Sequence, residues 1–276
     1  MTSWRHLPAA CREIMAEHVR RDEIPTSVRF LFYELVQREI IPKSLPGKRQ
    51  PQQYVSDALM ELRESGEIPW SWIVDETRSV LRWAKSDSVL GFLRDSITSA
   101  RISPWGDDSP PLVLVESRSL AGVLRSTSRD YLVQLASTNG QVGGFLHTDI
   151  GPALVAKQRV IYLGDLDHSG RQIEQNTRTV LEQYADLDWE RLALTDVQVH
   201  GIPSVIKHDK RYRPARAYEA WETEALGQNV IVGMVRDRLD ELLPEPLSSV
   251  RVRQRQQRER LSEYLDGYEQ WEADHE

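Results

Sequence analysis

Two uninterrupted apolar runs of strand length constrain the fold most strongly: Leu112–Val115 (LVLV) and Val160–Leu163 (VIYL). A strand that is apolar at every position has both faces buried, which is typical of a parallel sheet covered by helices. Segments with helical spacing lie between and around these runs, so strands and helices alternate along the chain. This alternation predicts an α/β domain with a doubly wound parallel sheet. The other expected elements are helices near 119–126 and 144–156 and strands near 131–135 and 192–194.

The residues before this region have a different pattern. Apolar residues at three- and four-residue spacing predict a helix that begins near Val28, a second helix at about 52–64 and a third at about 88–99. The short aromatic segment 67–74 follows the second helix, and two helices followed by a hairpin-like segment are typical of a winged helix. Helical spacing returns after Tyr218 and again from Ser248. We therefore expect an N-terminal helical, winged-helix-like DNA-binding domain (1–101), an α/β catalytic domain (111–216) and a helical C-terminal extension (217–276).

Composition narrows the classes of site and partner. Of the 276 residues, 40% are hydrophobic and 28% are charged, as in ordinary globular proteins. The single cysteine, Cys11, excludes an internal disulfide and a cysteine-based zinc site. No apolar run is long enough to cross a bilayer, so we expect a cytoplasmic protein without membrane contact. The net charge of −7 disfavours bulk-charge coating of nucleic acid but permits local basic patches, such as 207–216 and 251–260.

Acidic residues follow both buried runs directly. Glu116 comes after the first run, and Asp165 and Asp167 come after the second. The carboxyl ends of parallel strands lie at one edge of a sheet, so these three side chains are expected at the same crevice. Carboxylates at such short distances repel one another unless a cation lies between them. Carboxylate oxygens are hard ligands, which suit Mg²⁺ or Mn²⁺. The sequence therefore predicts a metal site formed by Glu116, Asp165 and Asp167.

These motifs carry a family resemblance. The segments VLVES (113–117) and YLGDLDHSG (162–170) resemble the Toprim domain of topoisomerases, primases and some nucleases. The form that includes Gly170 and Ile173 is most similar to the A subunit of topoisomerase VI and the related meiotic double-strand-break transesterases. The chain departs from that pattern at His168, where proline is usual, and after the glutamate, where Ser117 and Arg118 replace more common residues.

The first predicted helix carries a second part of the resemblance. Arg29 and Tyr33 lie one turn apart, and Tyr33 falls outside the apolar stripe, so the two side chains are expected to share one surface. Arginine can grip a phosphate while a tyrosine oxygen attacks phosphorus. The segment resembles the R-x-x-Y-Y element of topoisomerase VI A subunits, in which the second tyrosine is the nucleophile. Tyr33 matches that tyrosine, and Phe32 replaces the first.

Three functions remain open at this point. The resemblance implies Mg²⁺-dependent DNA cleavage in which Tyr33 becomes covalently linked to DNA, in a homodimer whose tyrosine works with the acids of the other protomer. A separate ATPase or defence-complex subunit is then a candidate partner. The alternative is a hydrolytic Toprim nuclease of a phage-defence or mobile-element system, with water as the nucleophile and Tyr33 structural. The third function is DNA binding without catalysis, and the intact acids make it the weakest of the three.

Overall fold

The computed structural model describes residues 4, 6–45, 49–74, 83–139, 144–209 and 216–275. The chain forms two compact units. Unit 1 contains residues 1–78 and 109–236, and unit 2 contains residues 79–108 and 237–276. This grouping differs from the three ranges expected from the sequence, because unit 1 includes both the N-terminal helices and the α/β region. The three-domain division stays a prediction.

Three helices form the N-terminal part of unit 1: α1 (Leu7–Arg20), α2 (Val28–Gln37) and α3 (Pro51–Glu64). Ser27 caps α2, because its side chain accepts a hydrogen bond from the Phe30 N–H, and a proline opens α3. The apolar faces of the three helices pack into one core. Segment 67–74, expected to be hairpin-like, forms a single 3₁₀ turn at Trp70–Trp72 and then pairs Ile73 with Thr26.

The α/β part of unit 1 is built on a four-stranded sheet in which all neighbouring strands are parallel. The strands are β1 (Leu112–Val115), β2 (Gln134–Ser137), β3 (Arg159–Leu163) and β4 (Asp188–Ala193), in the order β2-β1-β3-β4. Helix α5 (Arg118–Tyr131) follows β1, and helix α6 (His168–Leu181) follows β3. The α/β class and the parallel sheet expected from the sequence are therefore confirmed.

Two expected elements differ locally from those in the structure. The strand expected at 131–135 begins only at Gln134, because Tyr131 ends α5 and Leu132 adopts a left-handed conformation that reverses the chain. The helix expected at 144–156 is instead a π-helical turn (Leu146–Ile150) followed by a 3₁₀ turn (Gly151–Ala153).

The helix expected from Tyr218 onward was wrong in its first part. Strands β5 (Val205–Asp209) and β6 (Arg216–Ala220) form an antiparallel pair, and a 3₁₀ turn follows at Thr223–Leu226. Helix α7 begins only at Gln228 and extends to Leu242. Most of the basic run 207–216 lies outside the described residues, apart from its ends on β5 and β6.

Unit 2 contains α4 (Val89–Ser99), the end of α7 and the long helix α8 (Leu247–His275). Helices α4 and α8 are joined by ion pairs from Arg94 to Asp266 and Glu269, both at 2.7 Å. The Ile102 N–H also donates to the Gln254 side chain at 2.9 Å. Within the described ranges, no helix combines the length and apolar character needed to span a bilayer.

Candidate active site

The first two acids lie at the carboxyl ends of neighbouring strands. Glu116 directly follows β1, and its N–H donates to the Leu163 carbonyl of β3 at 2.9 Å. Its carboxylate atom Oε2 accepts a hydrogen bond from the Asp165 N–H at 2.9 Å. The strand register therefore brings Glu116 into direct contact with the loop that carries Asp165 and Asp167.

Asp167 begins α6. Its atom Oδ1 accepts from the Gly170 N–H at 2.7 Å, which is an N-cap bond of a kind worth about 1 kcal/mol. Gly170 is required there, because a Cβ atom would lie 2.3 Å from the Asp165 carbonyl oxygen and 3.1 Å from Glu116 Oε2. The first turn of α6 thus packs directly against both other acids.

Arg191 of β4 is hydrogen bonded to the backbone of the loop between β3 and α6. Its guanidinium donates to the Gly164 carbonyl at 2.9 Å and to the Asp165 carbonyl at 2.7 Å. Glu174 of α6 pairs with the same guanidinium. These contacts fix the backbone that presents Asp165.

A later segment of the chain completes the cluster. Leu166 and Trp221 pair in an antiparallel bridge, which places residues 222–224 beside the acids. The N–H and hydroxyl of Thr223 donate to Asp165 Oδ1 at 2.9 and 3.2 Å. Glu224 is fully buried, with 0% exposure. Its Oε1 accepts from the Ser117 hydroxyl at 2.7 Å.

Arg29 connects α2 to this cluster. Its guanidinium lies 3.0 Å from Glu222 Oε2 and 3.3 Å from Glu224 Oε1. Tyr33, one turn later, does not share that surface. Its side chain is only 2% exposed and packs among the apolar side chains of α1, α2 and α3. The expected surface position of Tyr33 was therefore wrong, because α2 is buried on more than its apolar stripe.

The electrostatics reflect this crowding of carboxylates. Burial, followed by the charge of Asp165, raises the pKa of Glu116 to about 7. Burial also raises the pKa of Glu224, although Arg29 opposes the shift. Lys207 of β5 supplies a cation, with its ammonium 2.6 Å from Asp167 Oδ2 and 4.0 Å from Glu222 Oε1. Among the residues that the structure describes, the carboxylates of the cluster outnumber the cations that contact them.

The donor set matches Mg²⁺ in chemistry, since all of its ligand atoms are carboxylate oxygens. In the described part of the chain, however, no three acidic, histidine or cysteine side chains are grouped closely enough to chelate one ion. Asp167 uses one oxygen to cap α6 and the other to bind Lys207. Mg²⁺ commonly binds one or two carboxylates together with water and phosphate oxygens. Glu116 and Asp165 therefore fit such an ion, and Asp167 can join them only if Lys207 moves away.

Sequence reasoning missed the contributions of Glu224, Thr223 and Lys207. One signal was present: two glutamates flank a threonine directly after a tryptophan (WETE, 221–224), in a segment with poor helical periodicity. Their partners are distant in sequence, so no local pattern identifies them. The Toprim and winged-helix resemblances rest on sequence motifs. No family model, no curated protein and no solved structure matches this chain.

Proposed function

We propose that this chain cleaves the phosphodiester backbone of DNA in a Mg²⁺-dependent reaction, with a Toprim-type site in its α/β part and a winged-helix-like N-terminal part that contacts the DNA. One observation carries the proposal. The Glu116 carboxylate meets the Asp165 backbone where two neighbouring parallel strands end, and Asp167 begins the next helix. Functional crevices of open parallel sheets lie at this edge.

Each residue then has a distinct task. Glu116 and Asp165 would hold the ion. Burial, followed by the charge of Asp165, raises the pKa of Glu116, and a cation bound there would relieve both costs. When bound, Mg²⁺ supplies positive charge that stabilises a phosphate oxygen in the transition state and orients the phosphate. Arg29, held by Glu222, provides a planar donor group suited to a second phosphate oxygen.

We propose water as the nucleophile. The Tyr33 side chain is 2% exposed and packs against an apolar core, so a DNA phosphate could reach its oxygen only if neighbouring side chains moved. Hydrolysis requires nothing of Tyr33 except packing. The chain is in this proposal a hydrolytic Toprim nuclease, of a kind suited to phage defence or to a mobile element.

A second candidate is transesterification through Tyr33. Tyr33 lines a cavity of about 100 Å³ together with Glu224, and the Lys43 ammonium lies 4.9 Å from the centre of its ring. The tyrosine is therefore close to the charged cluster although it is buried. This mechanism requires the phenol to become accessible, for example when a homodimer forms and the acids of the other protomer are used.

The first test compares DNA cleavage by four forms of the full chain. Supercoiled plasmid is incubated with protein and Mg²⁺ or Mn²⁺, denatured with detergent and separated on a gel. We expect free DNA ends from the unchanged protein and from Tyr33→Phe. Asp165→Asn should lower the cleavage rate by roughly a hundredfold or more, because the scissile phosphate loses its charge stabilisation. Asp186→Asn, an exposed surface acid paired with Lys157, is the matched control and should cut normally.

The results separate the candidates. A protein–DNA band that survives denaturation and disappears in Tyr33→Phe would establish transesterification instead of hydrolysis. Cleavage that persists in Asp165→Asn, or no cleavage by the unchanged protein with either metal, would contradict the proposed function.

A further inference from the structure

A cavity of about 420 Å³ opens beside the acidic cluster, where the first turns of α2 and α5 meet. The hydroxyls of Ser27 and Ser119 are hydrogen bonded to each other across this junction. Ser117, adjacent in sequence to Glu116, also lines the cavity. The cavity therefore borders the site that carries the acids.

The lining is cationic and contains no carboxylate among the described residues. Three guanidinium groups converge on it from three different segments, and two side-chain amides add further donors. The charged and amide side chains of the lining are those of Arg29, Arg63, Arg118, Gln52 and Asn139. A concave surface with several positive charges and no negative charge favours an anion.

The N-termini of two helices add to the positive electrostatic potential of this cavity. Ser27 caps α2 and Ser117 caps α5, and neither helix has an acidic residue in its first turn. Within the two helices themselves, no acidic side chain of the first turn offsets the positive end of the dipole, although Glu224 accepts a hydrogen bond from the Ser117 cap of α5. Backbone N–H groups at helix starts are common partners of phosphate oxygens.

The three arginines differ in how they are held. Arg63 donates to the carbonyls of Trp70 and Ile73 at 2.6 and 3.1 Å, which fixes its position. Arg29 is fixed by Glu222 and Glu224. Arg118 is exposed and forms no ion pair within the described ranges. Its guanidinium is therefore the group with donors available for an incoming anion.

We propose that this cavity binds a phosphate of the nucleic-acid backbone next to the phosphate that is cleaved, with Arg118 as its principal ligand. The inference rests on the proposed function, since it assigns the substrate of that site. Arg29 lies between the cavity and the acids, lining the first and contacting Glu222 and Glu224 of the second. Consecutive phosphates of one strand then reach the cavity and the acidic site together.

The experiment measures DNA binding without cleavage. A fluorescein-labelled oligonucleotide duplex is titrated with the full chain in EDTA, by anisotropy, over a series of salt concentrations. Arg118→Ala should lower the affinity about tenfold and reduce the slope of log K against log salt by about 1, because one phosphate contact is lost. Arg125→Ala is the matched control, since Arg125 is exposed on the same helix but lines a different cavity.

The outcomes separate the two proposals. A selective loss in Arg118→Ala supports the cavity, and it does so even if metal-dependent cleavage is never observed. Equal affinity and slope for Arg118→Ala and Arg125→Ala would overturn the cavity assignment while leaving cleavage intact. Absence of binding to the duplex by the unchanged protein would overturn it as well.

Discussion

The surroundings of Lys43 disfavour the charged form of its side chain. Its ammonium lies 4.9 Å from the centre of the Tyr33 ring and donates to the Pro203 carbonyl at 3.4 Å. Burial, together with the positive charges of Lys207 and Arg29, lowers its pKa from 10.5 to about 8, although Asp165 pulls in the other direction. The folded protein therefore binds this proton less tightly than the unfolded chain does.

This shift predicts a pH dependence of stability. Below pH 8 the lysine is charged in both the folded and the unfolded protein, and burial of this charge lowers the stability of the folded state. Between pH 8 and 10.5 only the unfolded chain holds the proton, so the unfavourable contribution disappears as the pH rises. Urea unfolding in EDTA should show Lys43→Met to be more stable than the unchanged protein at pH 7.5, with the gap closing by pH 10.5. A gap that is constant with pH would argue against the shifted pKa.

At the scale of single elements, the β5–β6 pair carries an internal counter-ion to the acids. Lys207 of β5 binds Asp167, whose side chain is almost fully buried. The carboxylate is therefore neutralised in the absence of metal. A divalent ion that used Asp167 would have to displace this lysine, so metal affinity and the position of the strand pair are linked.

This linkage gives opposite expectations for stability and metal affinity. Lys207→Met should lower the free energy of unfolding in EDTA by roughly 1–3 kcal/mol, because Asp167 loses its charge partner. The same change should tighten Mn²⁺ binding, measured by electron paramagnetic resonance, because no lysine competes for the acids. Lys207→Arg keeps the charge and is the control. Weaker Mn²⁺ binding in Lys207→Met would show that the lysine assists the metal.

The elements also explain which predictions the sequence could support. Strands β1 and β3 were predictable because burial on both faces leaves continuous apolar runs, and the placement of Glu116 and Asp165 followed from those strand ends. The burial of Tyr33 was not predictable, because periodicity marks the strongest apolar face of α2 and not the contacts that cover its other faces. The role of Glu224 depends on Arg29, which lies far away in sequence.

At the scale of the whole molecule, a ligand that binds only the folded protein raises its stability. The residues of the proposed site lie together only when unit 1 is folded, because Glu116 follows β1, Asp165 follows β3 and Thr223 follows β6. Metal binding at this site should therefore appear as a shift in the thermal unfolding of that unit.

Calorimetry provides the corresponding test. Added Mg²⁺ should raise the Tm of the unchanged protein with increasing concentration, and a hundredfold excess over Kd corresponds to about 2.7 kcal/mol. Asp165→Asn should reduce the shift, whereas Asp186→Asn should retain it. An equal shift in both variants would place the bound metal elsewhere on the protein.

The bridge between Leu166 and Trp221 also bears on when the proposed site can be assembled during synthesis. Ser117 and Glu224 are hydrogen bonded but separated by 107 residues. At translation rates of about 5–20 residues per second, Glu224 is made about 5–20 seconds after the first acid. A chain that ends before Trp221 contains Glu116, Asp165 and Asp167 but lacks Thr223, which donates two hydrogen bonds to Asp165. The site proposed for cleavage is therefore complete only once the segment after β6 has been made.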